Sequence, residues 1–200
     1  MHLIKEEQTY KSKFSKIESI IKRKAQLPDQ VFRDKPYWFK VIDFDEIYSR
    51  PFFDAVNNFL EEERGSIWTF AVLENDPEEF FFNRCKKYPI FEINISDSFE
   101  NYQSITRGEL ECIPNESLAD NAYVIVVYPE SLKWVIYGDF DFEIGIIGFW
   151  DNETIDIFIS KYSKGRVFTM GEAIPSLLET IYPNNVIPED IRTKLLSNYE

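Results

Sequence analysis

An α+β fold, an antiparallel sheet with helices packed on it, is predicted for this chain from three observations. Three apolar runs between residues 122 and 150 are separated by breaks too short for crossovers, so they read as antiparallel strands in a meander. Apolar stripes at spacings of three and four residues, bounded by capping residues, recur before and after that meander. Hydrophobic residues make up 44 % of the chain, with 18 Phe, 11 Tyr and 4 Trp among them, which is ample material for a core. The 200 residues suit one domain, 1–200, with residues 1–30 as a leading helix able to sit at its periphery.

The first element is a basic amphipathic helix over residues 5–26, with Tyr10, Phe14, Ile17 and Ile21 on one face. Lys11, Lys16, Lys22, Arg23 and Lys24 fall off that stripe, and Leu27-Pro28-Asp29 stops it. Residues 37–44 read as a strand. A helix follows over 50–64, with Phe52, Phe53, Val56, Phe59 and Leu60 inward, Pro51 in its first turn and Gly65 as its stop. Glu61, Glu62 and Glu63 crowd its C-terminal end, against the helix dipole, and read as a solvated edge in preference to a surface kept acidic for a partner. Ser66–Leu73 is apolar on both faces, the pattern of a central strand.

Asp76-Pro77-Glu78-Glu79 opens a helix, with Asp76 as cap and Glu79 able to close a capping box. Its inner stripe is Phe81, Phe82, Cys85 and Tyr88, which makes Cys85 a core thiol. Residues 90–95 form a strand. Residues 96–121 are expected to hold a short helix around Phe99–Ile105 and a brief strand near Cys112. Strands then follow over 122–128, 133–137 and 142–150, with Trp134 and Trp150 packed in the core or at its rim, as are Trp38 and Trp68. Residues 153–164 fit a helix better than a strand, although Thr154, Ile155, Ile157 and Ile159 are β-branched and leave a strand open. Thr169-x-x-Glu172 caps a helix reaching Tyr182, and Pro188 starts a last one with the stripe Ile191, Leu195 and Tyr199.

Charge is distributed unevenly. Residues 1–40 hold ten Lys/Arg against five Asp/Glu, whereas residues 41–200 hold twelve against thirty, giving +5, −18 and an overall −13. So acidic a body repels nucleic-acid phosphates and anionic lipid and attracts basic protein surfaces. The basic leading helix is expected to be solvated or docked on that body. No run approaches the roughly 18 apolar residues of a membrane span. Residues 1–7 lack the apolar stretch of a signal peptide, so a cytoplasmic location is expected.

The side-chain inventory narrows the chemistry. His2 is the sole histidine, so no Ser-His-Asp or Cys-His arrangement and no His-ligated zinc site fits the body of the chain. Cys85 and Cys112 are expected to be reduced thiols, and no cofactor or metal is expected. Gly138-Asp139-Phe140-Asp141-Phe142-Glu143-Ile144-Gly145 is the most specific local motif. Read as extended chain, it puts Asp139, Asp141 and Glu143 on one face, about 7 Å apart. Such a face is a solvated edge, a ridge that meets a partner, or a site for Mg²⁺, Ca²⁺ or general acid chemistry. Gly145 and Gly148 mark a bulge or a close backbone approach. Asp43, Asp45 and Glu46 form a second acidic cluster.

Leu27-Pro28-Asp29 after a leading helix, and the strand pair around Trp134-Val-Ile-Tyr-Gly, resemble parts of the small α+β immunity proteins that bacteria pair with secreted toxins. The resemblance covers about a third of the chain, lacks the glycine expected after the Leu-Pro element, and carries over no functional residue. It implies an inhibitor that neutralises a basic toxin or effector by stoichiometric binding. Acidity outside the first helix and the absence of conventional catalytic residues agree with that expectation, and Asp139, Asp141 and Glu143 are the expected partner-binding ridge. An enzyme working through these carboxylates or a divalent metal, and a structural or adaptor protein, are the competing classes.

Overall fold

The computed structural model describes residues 1–162 and 165–200. Eight strands are formed among the described residues: β1 (Trp38–Asp43), β2 (Ile67–Glu74), β3 (Ile90–Asn94), β4 (Glu109–Leu110), β5 (Ile113–Ser117), β6 (Val124–Pro129), β7 (Trp134–Asp139) and β8 (Ile144–Phe149). Six of them make one antiparallel sheet in the order β1-β8-β7-β6-β2-β3, and β4 pairs with β5 apart from it. The late meander β6-β7-β8 forms its middle, as the short breaks require. Phe70, Val126, Val135 and Ile146 are fully buried in it.

Alternation along each strand divides the core in two. One face carries Ile42, Phe70, Ile125, Trp134, Ile136 and Phe149 against α2 (Arg50–Glu62), α4 (Phe99–Arg107) and α5 (Asn152–Lys161). The other carries Val41, Ala71, Val126, Val135, Tyr137 and Ile146 against α1 (Glu7–Ile20), α6 (Met170–Ser176) and α7 (Glu189–Tyr199). With both faces covered, the middle strands are apolar throughout instead of alternating with polar residues. At Gly148 a Cβ would lie 2.5 Å from Pro36, so the close approach read from the sequence is met there, and the β7–β8 pairing runs through it without a bulge.

Several element boundaries differ from the expectation. The first helix ends at Ile20, not at residue 26. Ile21 is extended and pairs with Phe32, the Lys22 N–H donates to the Val31 carbonyl at 2.8 Å, and Arg33 returns the same contact to Ile20. That ribbon takes the backbone groups that further helix needs, so Lys22, Arg23 and Lys24 lie beyond the helix. In α2 the left-handed residue is Arg64 (φ 57°), not Gly65, and Glu63 is no solvated edge. Its side chain is 6 % exposed, 3.1 Å from the Lys133 ammonium.

Asp76 caps as expected, accepting the N–H groups of Glu78 and Glu79 at 2.8 Å. The segment it opens is π-helical over Pro77–Phe82 and runs into a single turn, α3 (Asn83–Cys85). The Thr169–Glu172 capping box is complete. Its helix carries Pro175 inside it and stops at Ser176, and a 3₁₀ turn, Leu178–Ile181, continues the chain. Of the 153–164 segment, residues 153–161 belong to a helix, Asn152–Lys161, and residues 163 and 164 lie outside the described residues.

The cysteine expectation is overturned. Cys85 and Cys112 form a disulfide, with Cα atoms 5.0 Å apart, and both side chains are half-buried. Twenty-seven residues separate them in sequence, but the end of α3 and the β4–β5 turn meet in space. Among the described residues no helix is long and apolar enough to cross a membrane.

Candidate functional site

The 139–143 motif is a hairpin turn, not an extended strand face. β7 ends at Asp139, β8 begins at Ile144, and Phe140–Glu143 form the connection. Backbone bonds hold that loop: Phe140 N–H to the Tyr123 carbonyl (2.8 Å), Glu143 N–H to the Phe140 carbonyl (3.1 Å) and Phe44 N–H to the Glu143 carbonyl (3.0 Å). Glu143 takes a positive φ of 53° to close the turn. The three acids therefore have different fates. Asp139 is buried at 5 % exposure, while Asp141 and Glu143 are exposed on the loop. A turn breaks the two-residue alternation on which a shared face depends.

Asp139 faces a cleft of about 270 Å³ at the end of the sheet where β2 finishes, β6 begins and the β7–β8 turn folds over. Its Oδ1 accepts the Phe142 N–H at 3.2 Å. Glu74 from the end of β2 lines the same cleft and accepts a hydrogen bond from the Gln26 amide at 3.3 Å. Asp141, Tyr123 and Asn75 complete most of its wall. Burial pushes the Asp139 carboxyl up to about 6, opposed by the Phe142 N–H and reinforced by the negative charges of Asp141 and Glu74. A carboxyl so tuned changes charge close to neutral pH, which an ordinary surface aspartate does not.

Beside the cleft stand two exposed aromatic rings. Tyr123 is 41 % and Phe140 49 % exposed; their centroids are 5.5 Å apart, nearly perpendicular, and Phe44 buttresses Phe140 at 5.8 Å. Exposed rings braced by neighbours and flanked by Asp141 and Glu143 have the composition of a protein-contact surface. Edge-to-face packing fixes the rings before any partner arrives, so little side-chain freedom remains to be lost on binding.

Several cations of the first forty residues reach onto the acidic body. Lys13 pairs with Glu92 of β3, and Arg23 lies 3.7 Å from both Glu18 and Asp76. Lys16 donates to the Glu130 carbonyl at 3.0 Å. The leading segment is thus docked on the body, one of the two arrangements expected for it. The second acidic cluster is put to structural use: Asp43 accepts the Asp45 N–H at 2.8 Å, and Glu46 binds Arg166 at 2.5 Å and the Tyr162 hydroxyl at 3.0 Å. Burial opposes the Glu46 charge, yet Arg166, Tyr162 and Ser49 hold its carboxyl below the ordinary range.

Of the three expected site residues, the structure brings Asp139 and Asp141 to one cleft and leaves Glu143 on the outer side of the turn. Gln26, Glu74 and Tyr123 were not foreseen. They lie far apart in sequence and meet only because β2 pairs with β6 and residues 21–33 lie over that end of the sheet, which no local pattern records. Among the described residues no three His, Cys, Asp or Glu side chains come together in a metal-binding arrangement. No family model, curated protein or solved structure matches the chain.

Proposed function

We propose that this chain is a stoichiometric binding protein for a basic protein, acting as an immunity-type inhibitor of a toxin or effector. The observation that carries this reading is the β7–β8 turn. It presents Phe140, braced by Tyr123 from just before β6 and flanked by Asp141 and Glu143, on a chain of net charge −13. Aromatic anchors supply contact area, and the surrounding acids steer a basic surface toward them. Asp141 and Glu143 are proposed as rim contacts, and Asp139 as the buried acid of the adjoining cleft. A cytoplasmic location suits an inhibitor that protects the cell making the toxin. The Cys85–Cys112 disulfide weighs against it, since such bonds persist in oxidising compartments.

A second reading rests on one observation, the Asp139 carboxyl raised to about 6 in a cleft, as a general acid would be. Affinity capture from the native host separates the two, using wild type beside a Phe140→Ser, Asp141→Asn, Glu143→Gln variant. The binding reading expects a basic protein retained one-to-one by wild type and lost by the variant. Equal retention by both, or no one-to-one complex alongside turnover of a small substrate abolished by Asp139→Asn, overturns it.

A further inference from the structure

We propose that the cleft at Asp139 is a receptor for one cationic side chain, a lysine or arginine presented by the partner; this rests on the binding reading above. Its three acids, Glu74, Asp139 and Asp141, come from separate points of the chain and border one cavity. Among the described residues none of them pairs with a lysine or arginine, although twelve ion pairs are formed elsewhere. Asp139 is the independent mark of a ligand. A carboxylate at 5 % exposure with no cationic partner is costly to keep charged, and the backbone N–H groups that reach it, that of Phe142 at 3.2 Å among them, bring no full positive charge to offset its own. A cation entering the cleft supplies the missing charge.

Size and spacing select the kind of cation. At about 270 Å³ the cleft falls short of the roughly 300–1,000 Å³ of a small-molecule site, so the end of one side chain suits it better than a whole metabolite. Ca²⁺ requires six to eight oxygens converging at about 2.3–2.6 Å, and these acids border the cavity without converging into a metal-binding cluster. A guanidinium or ammonium group spreads its donors over a wider shell and gains from the adjacent Tyr123 ring. The neighbouring cavity carries Lys22, Arg23 and Lys24; Lys22 is engaged with the Gln30 carbonyl at 3.1 Å, Arg23 with Glu18 and Asp76, and none of the three lines the Asp139 cleft.

Occupation depends on pH. The groups facing Asp139 are Glu74 from β2, Asp141 from the turn, Tyr137 from β7, Tyr199 from α7 and Tyr182 after the 3₁₀ turn; none is a cation. Acidification therefore neutralises Asp139 and releases the guest.

The test is carboxyl-detected NMR of the whole chain, titrated with ethylguanidinium chloride and, separately, with sodium chloride at equal ionic strength. Ethylguanidinium is expected to shift the Asp139 and Glu74 carboxyl signals saturably and to lower the Asp139 titration midpoint. A Glu74→Gln variant is expected to lose saturation while keeping the wild-type fold and spectrum. Linear shifts matching those with sodium chloride, or saturation unchanged in Glu74→Gln, overturn the proposal. With the captured partner, Asp139→Asn is expected to weaken binding at least about thirtyfold at pH 7.5, the loss typical of removing one member of a desolvated pair. A partner held equally by wild type and by both variants removes the receptor and leaves the binding reading standing. Saturable ethylguanidinium binding with no basic partner captured does the reverse.

Discussion

Replacing Asp139 with asparagine is expected to stabilise the fold, and only above mildly acidic pH. Asparagine keeps a side-chain oxygen for the Phe142 N–H at 3.2 Å and removes the buried charge. In the folded chain the carboxyl titrates at about 6 against an ordinary 3.8, because burial disfavours its charged form. Between these values the folded state holds a proton that the unfolded state has released. Wild-type stability therefore declines as pH rises from about 4 to about 6 and stays reduced above that. The separation of 3.8 from about 6, at 1.36 kcal/mol per tenfold step, corresponds to about 3 kcal/mol. Urea unfolding followed by the fluorescence of the buried Trp68 and Trp134 gives the comparison. The variant should match wild type at pH 4 and exceed it by about 3 kcal/mol at pH 8. A variant equal to or less stable than wild type at pH 8 would refute the argument that desolvation dominates at this site. A residue whose removal strengthens the fold while weakening binding is one kept for function at a cost in stability.

Four further outcomes are expected. Cys85→Ser with Cys112→Ser should lower unfolding free energy by about 3–4 kcal/mol, the loop-closure term for a separation of 27 residues; denaturation insensitive to reductant and to the double substitution would contradict the pairing. A thiol count on protein prepared without reductant should find none free before unfolding and reduction. Thr169→Ala removes the side chain that accepts the Glu172 N–H at 3.3 Å and should cost about 1 kcal/mol in the same urea assay, with no change in binding. Glu46 works in the opposite sense to Asp139: its carboxyl is held low by Arg166, so its contribution is present above the ordinary carboxyl range and disappears as pH falls through the folded value. Arg166→Ala should flatten that acid-side loss, which urea titrations between pH 3 and 6 would read.

The middle of the sheet was legible because local pattern suffices there. The runs ending at Tyr128, Tyr137 and Trp150 alternate between two apolar faces, and breaks of a few residues permit only hairpins. The capping box at Thr169 and the cap at Asp76 were likewise written in adjacent residues. Elsewhere long-range structure decided the outcome. The end of α1 was set by pairing between residues 20–22 and 31–33, and the disulfide by a meeting of α3 with the β4–β5 turn. At the candidate site the acidic motif was visible but its geometry was not. Asp139 looked like one of three equivalent acids, and it became buried because Glu74, Tyr123 and Gln26 arrive from distant elements. Alternation also assumes an extended chain, and the four residues after Asp139 are a turn.

In the binding reading, the acidic turn around Phe140 meets a basic partner. The most direct measurement is the association rate constant of the captured partner with wild type and with an Asp141→Asn, Glu143→Gln variant that retains Phe140 and Asp139. Rates are taken at low ionic strength and again at about 0.5 M salt, where the screening length is a few ångströms. Wild type is expected to associate fast, with a rate that falls at least tenfold with salt, and the variant more slowly, with a shallower salt dependence. Equal rates for the two proteins, unmoved by salt, would contradict it.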